Sequence, residues 1–286
     1  PTYKISSNLK LSGAFNYSFN NLFEKYFLPN AGIPDTYLTD YGFTQYSYVQ
    51  AQNAKQISIS SNLLLNWHKI KNLSLFDISG GVRYYNDAYK GDYGSGYNTA
   101  SDLDKNLSSS LNGRTTTGYD ETWRSISWLA NGKYAYNDKY FFELLCSVDA
   151  SSKFGKEADL DLNMAGVNWA IYPGVNANWL VSSENFMKNL SFIDKFNLNA
   201  SYEMAGNDNI NQAASITYFS ARRYINQYSG KTLSNIGNTE IKPELVKKAT
   251  IGFDLELLKN RLSISGNIYS HNTSDLLVLK QYEYIT

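Results

Sequence analysis

Apolar and polar residues alternate along most of this chain with a period of two, the spacing that sends successive side chains to opposite faces of a β-strand. Between residues 4 and 19 the odd positions read Ile5, Ser7, Leu9, Leu11, Gly13, Phe15, Tyr17 and Phe19, while the even positions hold only Lys, Ser, Asn and Ala. The same alternation predicts strands over 57–67, 76–84, 124–136, 140–148, 169–181, 196–204, 245–257 and 262–268, nine with the first. Several are longer than the roughly 5 to 6 residues usual in soluble sheets, and reach the about 9 to 11 that a tilted strand needs to cross a bilayer.

The apolar faces of these strands carry almost no charge. Arg124 and Lys247 are the exceptions, each near a strand end, where a long side chain reaches water. A Lys or Arg at the bilayer midplane costs ~2 to 4 kcal/mol, against ~0 to 1 at the interface, so the placement follows a lipid gradient. The connections alternate as well. Long segments over 20–54, 87–122 and 151–168 alternate with tight turns over 68–72, 137–139 and 259–260, the asymmetry of outer-membrane barrels. On the short side 182–194 is the exception, read as a brief helical turn at the inner rim. Residues 216–228 read either as a strand pair or as part of an external loop, and parity requires zero or two crossings there. The tail over 275–286 is strand-like.

These observations predict an all-β fold, a transmembrane antiparallel β-barrel. Unpaired sheet edges are not tolerated in hydrocarbon, so such a sheet must close. The odd strand number, and an end at Tyr284-Ile285-Thr286 with no terminal aromatic residue, make this chain an interior part of a larger barrel.

Composition narrows the classes further. The 286 residues carry 26 basic and 26 acidic side chains, so the balance offers no electrostatic attraction to nucleic acid. With 24 Tyr, 14 Phe and 5 Trp the chain is too rich in large rings for disorder. Cys146 stands alone, which leaves neither a disulfide framework nor a thiolate metal cluster to expect.

Three collinear blocks then resemble a known family. Residues 127–155 end in Asp149-Ala150-Ser151-Ser152-Lys153-Phe154-Gly155, close to the RDGSSRFG string of the SusC/RagA family of TonB-linked outer-membrane proteins, with Val148 and Ala150 in place of its Arg and Gly. Residues 172–209 and 237–277 fit the same family in order and spacing, and 8–29 and 76–85 fit more loosely. The resemblance implies a barrel of about 22 strands, of which residues 1–286 are part, with the N-terminal plug, the Ton box and the C-terminal strands outside this chain. It implies import of glycans or peptides across the outer membrane, driven through TonB-ExbB-ExbD and assisted by a SusD-like surface lipoprotein.

The candidate sites are weighed against plainer roles. His68 and His271 fall on opposite rims by topology, which argues for surface histidines and against a shared metal site or a Ser-His dyad. Asp149 and Glu143 lie six apart on one strand, as ordinary charges on the wet face of a lumen. Gly91-Asp92-Tyr93-Gly94-Ser95-Gly96 lacks the Lys-Ser/Thr and helix of a phosphate loop and reads as an external loop. Asp102 and Asp104, like Asp159 and Asp161, recur at every second position in outer loops, a spacing of hard oxygens that suits structural Ca²⁺, although a solvated loop is the commoner outcome. Tyr93, Tyr97, Tyr119 and Trp123 on the second long loop offer flat rings with polar handles to sugar rings or peptide side chains, beside the alternatives of loop packing and, for Trp123, a girdle. Trp67, Trp128, Trp169, Trp179, Tyr134 and Tyr136 read as lipid-facing or interfacial aromatics. No catalytic residue and no cofactor is expected. Two rivals stay open, a soluble or surface-attached β-sandwich used for adhesion, which would also alternate, and an outer-membrane barrel enzyme built around one of the histidines.

Overall fold

In the computed structural model, which describes residues 1–32, 34–224 and 228–279, alternation becomes antiparallel sheet. The strands are β1 (Thr2–Lys4), β2 (Leu9–Leu28), β3 (Thr36–Leu38), β4 (Phe43–Gln45), β5 (Tyr48–Lys71), β6 (Ser74–Tyr97), β7 (Asn112–Tyr136), β8 (Tyr140–Ser151), β9 (Leu162–Met164), β10 (Val167–Leu180), β11 (Ile193–Asn207), β12 (Tyr218–Tyr224), β13 (Tyr228–Asn235), β14 (Glu244–Leu257) and β15 (Leu262–Ser274). One sheet runs β1-β2-β5-β6-β7-β8-β10-β11-β14-β15, each strand paired with its neighbour in the chain apart from the loop hairpins, and β9 adds to β10. β3-β4 and β12-β13 are separate two-stranded hairpins. Because β11 pairs directly with β14, the intervening segment adds no crossing, which settles the parity in favour of zero.

Register unites faces that the sequence presents one strand at a time. Tyr134 pairs with Phe142, Phe142 with Ala177, Ala177 with Ala200, Ala200 with Ile251 and Ile251 with Ile268, a single row across six strands. Directly paired residues share a face, so six separately read apolar faces form one. The adjacent row, Lys133, Glu143, Asn176, Ser201, Thr250 and Tyr269, belongs to the other face and is polar throughout. Nothing among the described residues covers the apolar face: Ile251 is 70% and Ile268 83% exposed. Among the described residues only nine hydrophobic ones are buried, and Ala contributes four of them. A sandwich would instead have buried these rows between two sheets about 10 Å apart.

Several boundaries differ from the alternation. Lys4 ends the short strand β1, and Ile5 and Ser7 fall in the turn that leads to β2, where Ile5 and Ser6 both donate backbone N–H to the Leu9 carbonyl. The predicted long loops over 20–54 and 87–122 are largely strand: β2 reaches Leu28, β5 begins at Tyr48, β6 runs to Tyr97 and β7 starts at Asn112. Beyond the bilayer neither face needs to be apolar, so alternation fades while backbone pairing continues. Residues 275–279 carry no strand and 280–286 lie outside the described residues; of the 216–228 segment, 225–227 also lie outside them. The tight turn after β7 places Asn137 and Asp138 at φ 53° and 52°, a left-handed conformation that these two residue types tolerate well.

The chain divides into two compact units. One comprises Pro1–Phe15, Ser61–Tyr85 and the chain from Arg124 onward; the other comprises Asn16–Ser60 and Asn86–Trp123.

Candidate functional site

In the first unit, an aromatic belt lies at the short-turn ends of the strands. The rings of Trp67, Phe76 and Tyr134 follow one another across β5, β6 and β7 at centroid separations of 6.4 and 5.0 Å. Tyr136, Tyr140 and Trp179 continue across β7, β8 and β10 at 6.4 and 6.3 Å. Such rings, apolar in body and polar at the tip, suit the level of lipid headgroups. Glu184, in the turn between two short 3₁₀ segments (Val181–Ser183 and Asn185–Met187), ties the belt to the rim. Its carboxylate accepts from Tyr140 Oη at 2.6 Å, Trp179 Nε1 at 3.2 Å and Lys139 Nζ at 3.0 Å. The Tyr140 hydroxyl, followed by the Lys139 ammonium, holds this carboxyl below the usual carboxylate range. Sequence reading placed Glu184 only within a helical turn; its spacing from Tyr140 and Trp179 gives no local signal.

Trp169 departs from the expected role. It is only 6% exposed, because β9 folds back beside the start of β10 and the Trp169 indole donates to the Met164 carbonyl at 3.4 Å. Trp128, by contrast, is exposed on the apolar face.

The polar face is cross-linked by side chains. Glu143 accepts from Asn131 Nδ2 at 2.8 Å and Asn176 Nδ2 at 3.4 Å, and pairs with Lys133 at 3.2 Å. Asp149 accepts from Ser147 Oγ at 3.2 Å while its Oδ1 is buried without a hydrogen-bond partner. Glu143 and Asp149 share a strand, not a pocket. His68 Nδ1 lies 3.4 Å from Asp77 across the β5-β6 hairpin, whereas His271 pairs in register with Lys248 near the far end of β15.

The string that ends the first family block acts as a staple. Ser151 Oγ and Lys153 Nζ both reach Asp208, at its carboxylate and its carbonyl, each at 3.1 Å. Gly155 then donates its N–H to the Ile241 carbonyl at 2.8 Å, and Glu157 donates to the Thr239 carbonyl at the same distance. A Cβ on Gly155 would lie 2.0 Å from the Thr239 oxygen, so only glycine allows the two backbones to meet.

The loop carboxylates fall in both units. In the second, Asp102 accepts the backbone N–H groups of Asn30 and Ala31 at 2.7 and 3.0 Å, and Asp104 accepts that of Asn106 at 3.2 Å. In the first, Asp161 accepts the Ile171 N–H at 2.8 Å and lines a small hollow with Asp159 and the Lys242–Asp275 ion pair. Among the described residues no group of three or more His, Cys, Asp or Glu side chains is placed to hold a metal ion.

Tyr93, Tyr97, Tyr119 and Trp123 lie on strands β6 and β7, not on a loop, and the Gly91–Gly96 stretch is likewise inside β6. Within the second unit three of the four join a ladder. Tyr119 stacks on Tyr89 with centroids 4.7 Å apart and planes 16° from parallel, and donates its hydroxyl to Tyr89 at 2.8 Å. Tyr93 and Tyr48 share a hydroxyl contact of 3.2 Å, and Tyr48 packs on Tyr97 at 5.0 Å. Gly91 earns its place here: a Cβ would sit 2.4 Å from the Tyr119 hydroxyl. Tyr48 and Tyr89 were not singled out by sequence, although their two-residue periodicity with Gln50 and Gly91 is visible in it.

No family model matches the chain. TonB-dependent receptor P39 of Formosa agariphila is 31% identical over 215 residues, which cover 73% of this chain and 19% of that protein. TonB-dependent receptor SusC of Bacteroides thetaiotaomicron is 22% identical over 244 residues, 82% of this chain and 22% of its own length. The chain therefore spans about a fifth of the curated relatives it matches. The solved structure of the RagAB peptide transporter superposes on 99% of this chain and 30% of its own with a TM-score of 0.83 at 16% identity, a likeness of fold.

Proposed function

We propose, from the premise that the chain belongs with the SusC/RagA-type TonB-dependent receptors, that the protein it comes from is an outer-membrane importer. The observation that carries this reading is the uncovered apolar row from Tyr134 to Ile268, backed by the polar row from Lys133 to Tyr269. Exposed to water, such rows would forfeit about 25 cal/mol for every Å² of apolar surface; against acyl chains they are at rest, and the belt around Trp67 and Trp179 marks one interface. The polar rows line the passage. By the same resemblance the protein works with a SusD-like surface lipoprotein and draws energy through TonB-ExbB-ExbD, and it imports an oligosaccharide or a peptide without catalysing a reaction. The relatives named above are receptors, in keeping with a transporter that is not an enzyme.

The test is uptake. Cells that carry the intact protein should accumulate labelled oligosaccharides or peptides only while TonB is functional, with the protein in the outer-membrane fraction. Uptake that survives loss of TonB, or a protein that stays soluble without detergent, contradicts the proposal.

A further inference from the structure

The tyrosine ladder carries an inference about what passes along it, and it rests on the importer reading above. Alternate positions of three adjacent strands in the second unit supply its side chains: Tyr48, Gln50, Gln52 and Gln56 on β5, Asp87, Tyr89 and Tyr93 on β6, Tyr119 and Glu121 on β7. Contacts confirm that these positions meet. Gln56 Nε2 donates to both Asp87 carboxylate oxygens at 3.2 Å, Gln52 Nε2 reaches Tyr119 Oη at 3.5 Å, and Tyr48 Oη donates to Gln50 Oε1 at 3.1 Å. From 48 to 58 on β5, 87 to 97 on β6 and 119 to 123 on β7, these alternate positions include no Lys and no Arg. The cations of the same strands in this unit, Lys55, Lys90 and Arg114, take the other set of positions; Lys55 lies over the Phe19 ring at 5.3 Å and Lys90 pairs with Asp120 at 2.7 Å.

We infer that this ladder is a binding surface for a neutral oligosaccharide, selecting against anionic glycans. The tyrosine rings offer flat apolar area, and their hydroxyls, with the glutamine amides, both donate and accept. A pyranose has the matching character, an apolar C–H face ringed by hydroxyls that need both kinds of partner. A sulfate or uronate would meet Asp87 and Glu121 with no Lys or Arg among the ladder positions to pair it, and a desolvated charge without a partner is costly. An extended peptide is recognised mainly through backbone pairing with an open strand edge or through apolar pockets. Here β5 and β6 are flanked by strands on both sides; β8 pairs with β7 only from Ser125 onward, but the ladder is presented by side chains and not by that edge, and its surface is hydroxyl and amide.

The experiment uses the intact protein in detergent, titrated calorimetrically with neutral gluco-, manno- and xylo-oligosaccharides, with sulfated and uronate-bearing counterparts, and with a mixture of neutral peptides. At least one neutral oligosaccharide should bind, with its anionic counterparts at least about tenfold weaker. Tyr93→Ala and Tyr119→Ala should each weaken it about five- to tenfold, the equivalent of one aromatic contact, while Tyr119→Phe should weaken it less. Gln52→Arg should narrow the gap between neutral and anionic ligands. Outer-membrane assembly of each variant, followed by heat-modifiable mobility, controls for folding. Preference for anionic glycans or for peptides, or wild-type affinity in both alanine variants, overturns the inference. Its failure is distinct from that of the importer reading: with a wrong ladder, TonB-dependent uptake persists unaltered in the alanine variants, whereas with a wrong importer assignment binding is seen without uptake.

Discussion

Tyr140 donates its hydroxyl to Glu184 at 2.6 Å, joining a ring of the interfacial belt to the turn that closes β10 onto β11. The same carboxylate receives Trp179 and Lys139, so one acidic side chain holds two rings and a turn. Glu184→Gln keeps the size of the group and removes its charge. Because the folded carboxyl is held below its ordinary value, its contribution is present above the unfolded pKa and is lost as pH falls through the folded one. The unfolding midpoint of the variant should therefore lie below that of the parent at pH 7, and the two should converge as pH drops below about 4. Thermal unfolding in detergent at both pH values checks this.

Phe253 and its neighbour Asp254 point to opposite faces of β14, paired with Leu198 and Asn197 respectively. Phe253→Lys places an ammonium on the lipid face and should cost ~2 to 4 kcal/mol if it lies near the midplane, enough to lower assembly yield sharply. Asp254→Lys should assemble normally. Denaturant unfolding of both variants in phospholipid vesicles makes the comparison.

Gly155 has no room for a side chain against the Thr239 carbonyl. Gly155→Val should separate the loop after β8 from the segment around Thr239 and Ile241 while the strands still pair. Limited proteolysis of intact cells should then cut these loops faster than in the parent, with heat-modifiable mobility retained.

How much of this was legible in the sequence depends on where lipid imposes contrast. Rows such as Phe142, Ala177 and Ile251 were readable because one face must be apolar and the other need not be. The parts of β5, β6 and β7 in the second unit read as loops because neither face there is uniformly apolar: Tyr and Gln take one set of positions, while Asn53, Lys55, Lys90, Asp92 and Thr116 take the other, and pairing leaves no binary signature without a hydrophobic side. Trp169 was placed with the interfacial rings because its covering strand is three residues long, too short to announce itself. The family string was recognised, but the need for Gly155 was not: it arises from Thr239, more than eighty residues away. Tyr93, Tyr97 and Tyr119 were selected as candidate contacts, while the partners that order them, Tyr48 and Tyr89, came only with the strand register.

The most direct measurement is cysteine accessibility along β14 in the intact protein in native membranes, with Cys146 replaced by Ser. Single cysteines at 250, 251, 253 and 254 are reacted with a charged, water-soluble thiol reagent and, separately, with a lipid-soluble one. Positions 251 and 253 should react only with the lipid-soluble reagent, and 250 and 254 with the charged one. Protection of 251 and 253 from both reagents, as between two stacked sheets, or equal reaction of all four with the charged reagent, would contradict a wall with acyl chains on one side and water on the other.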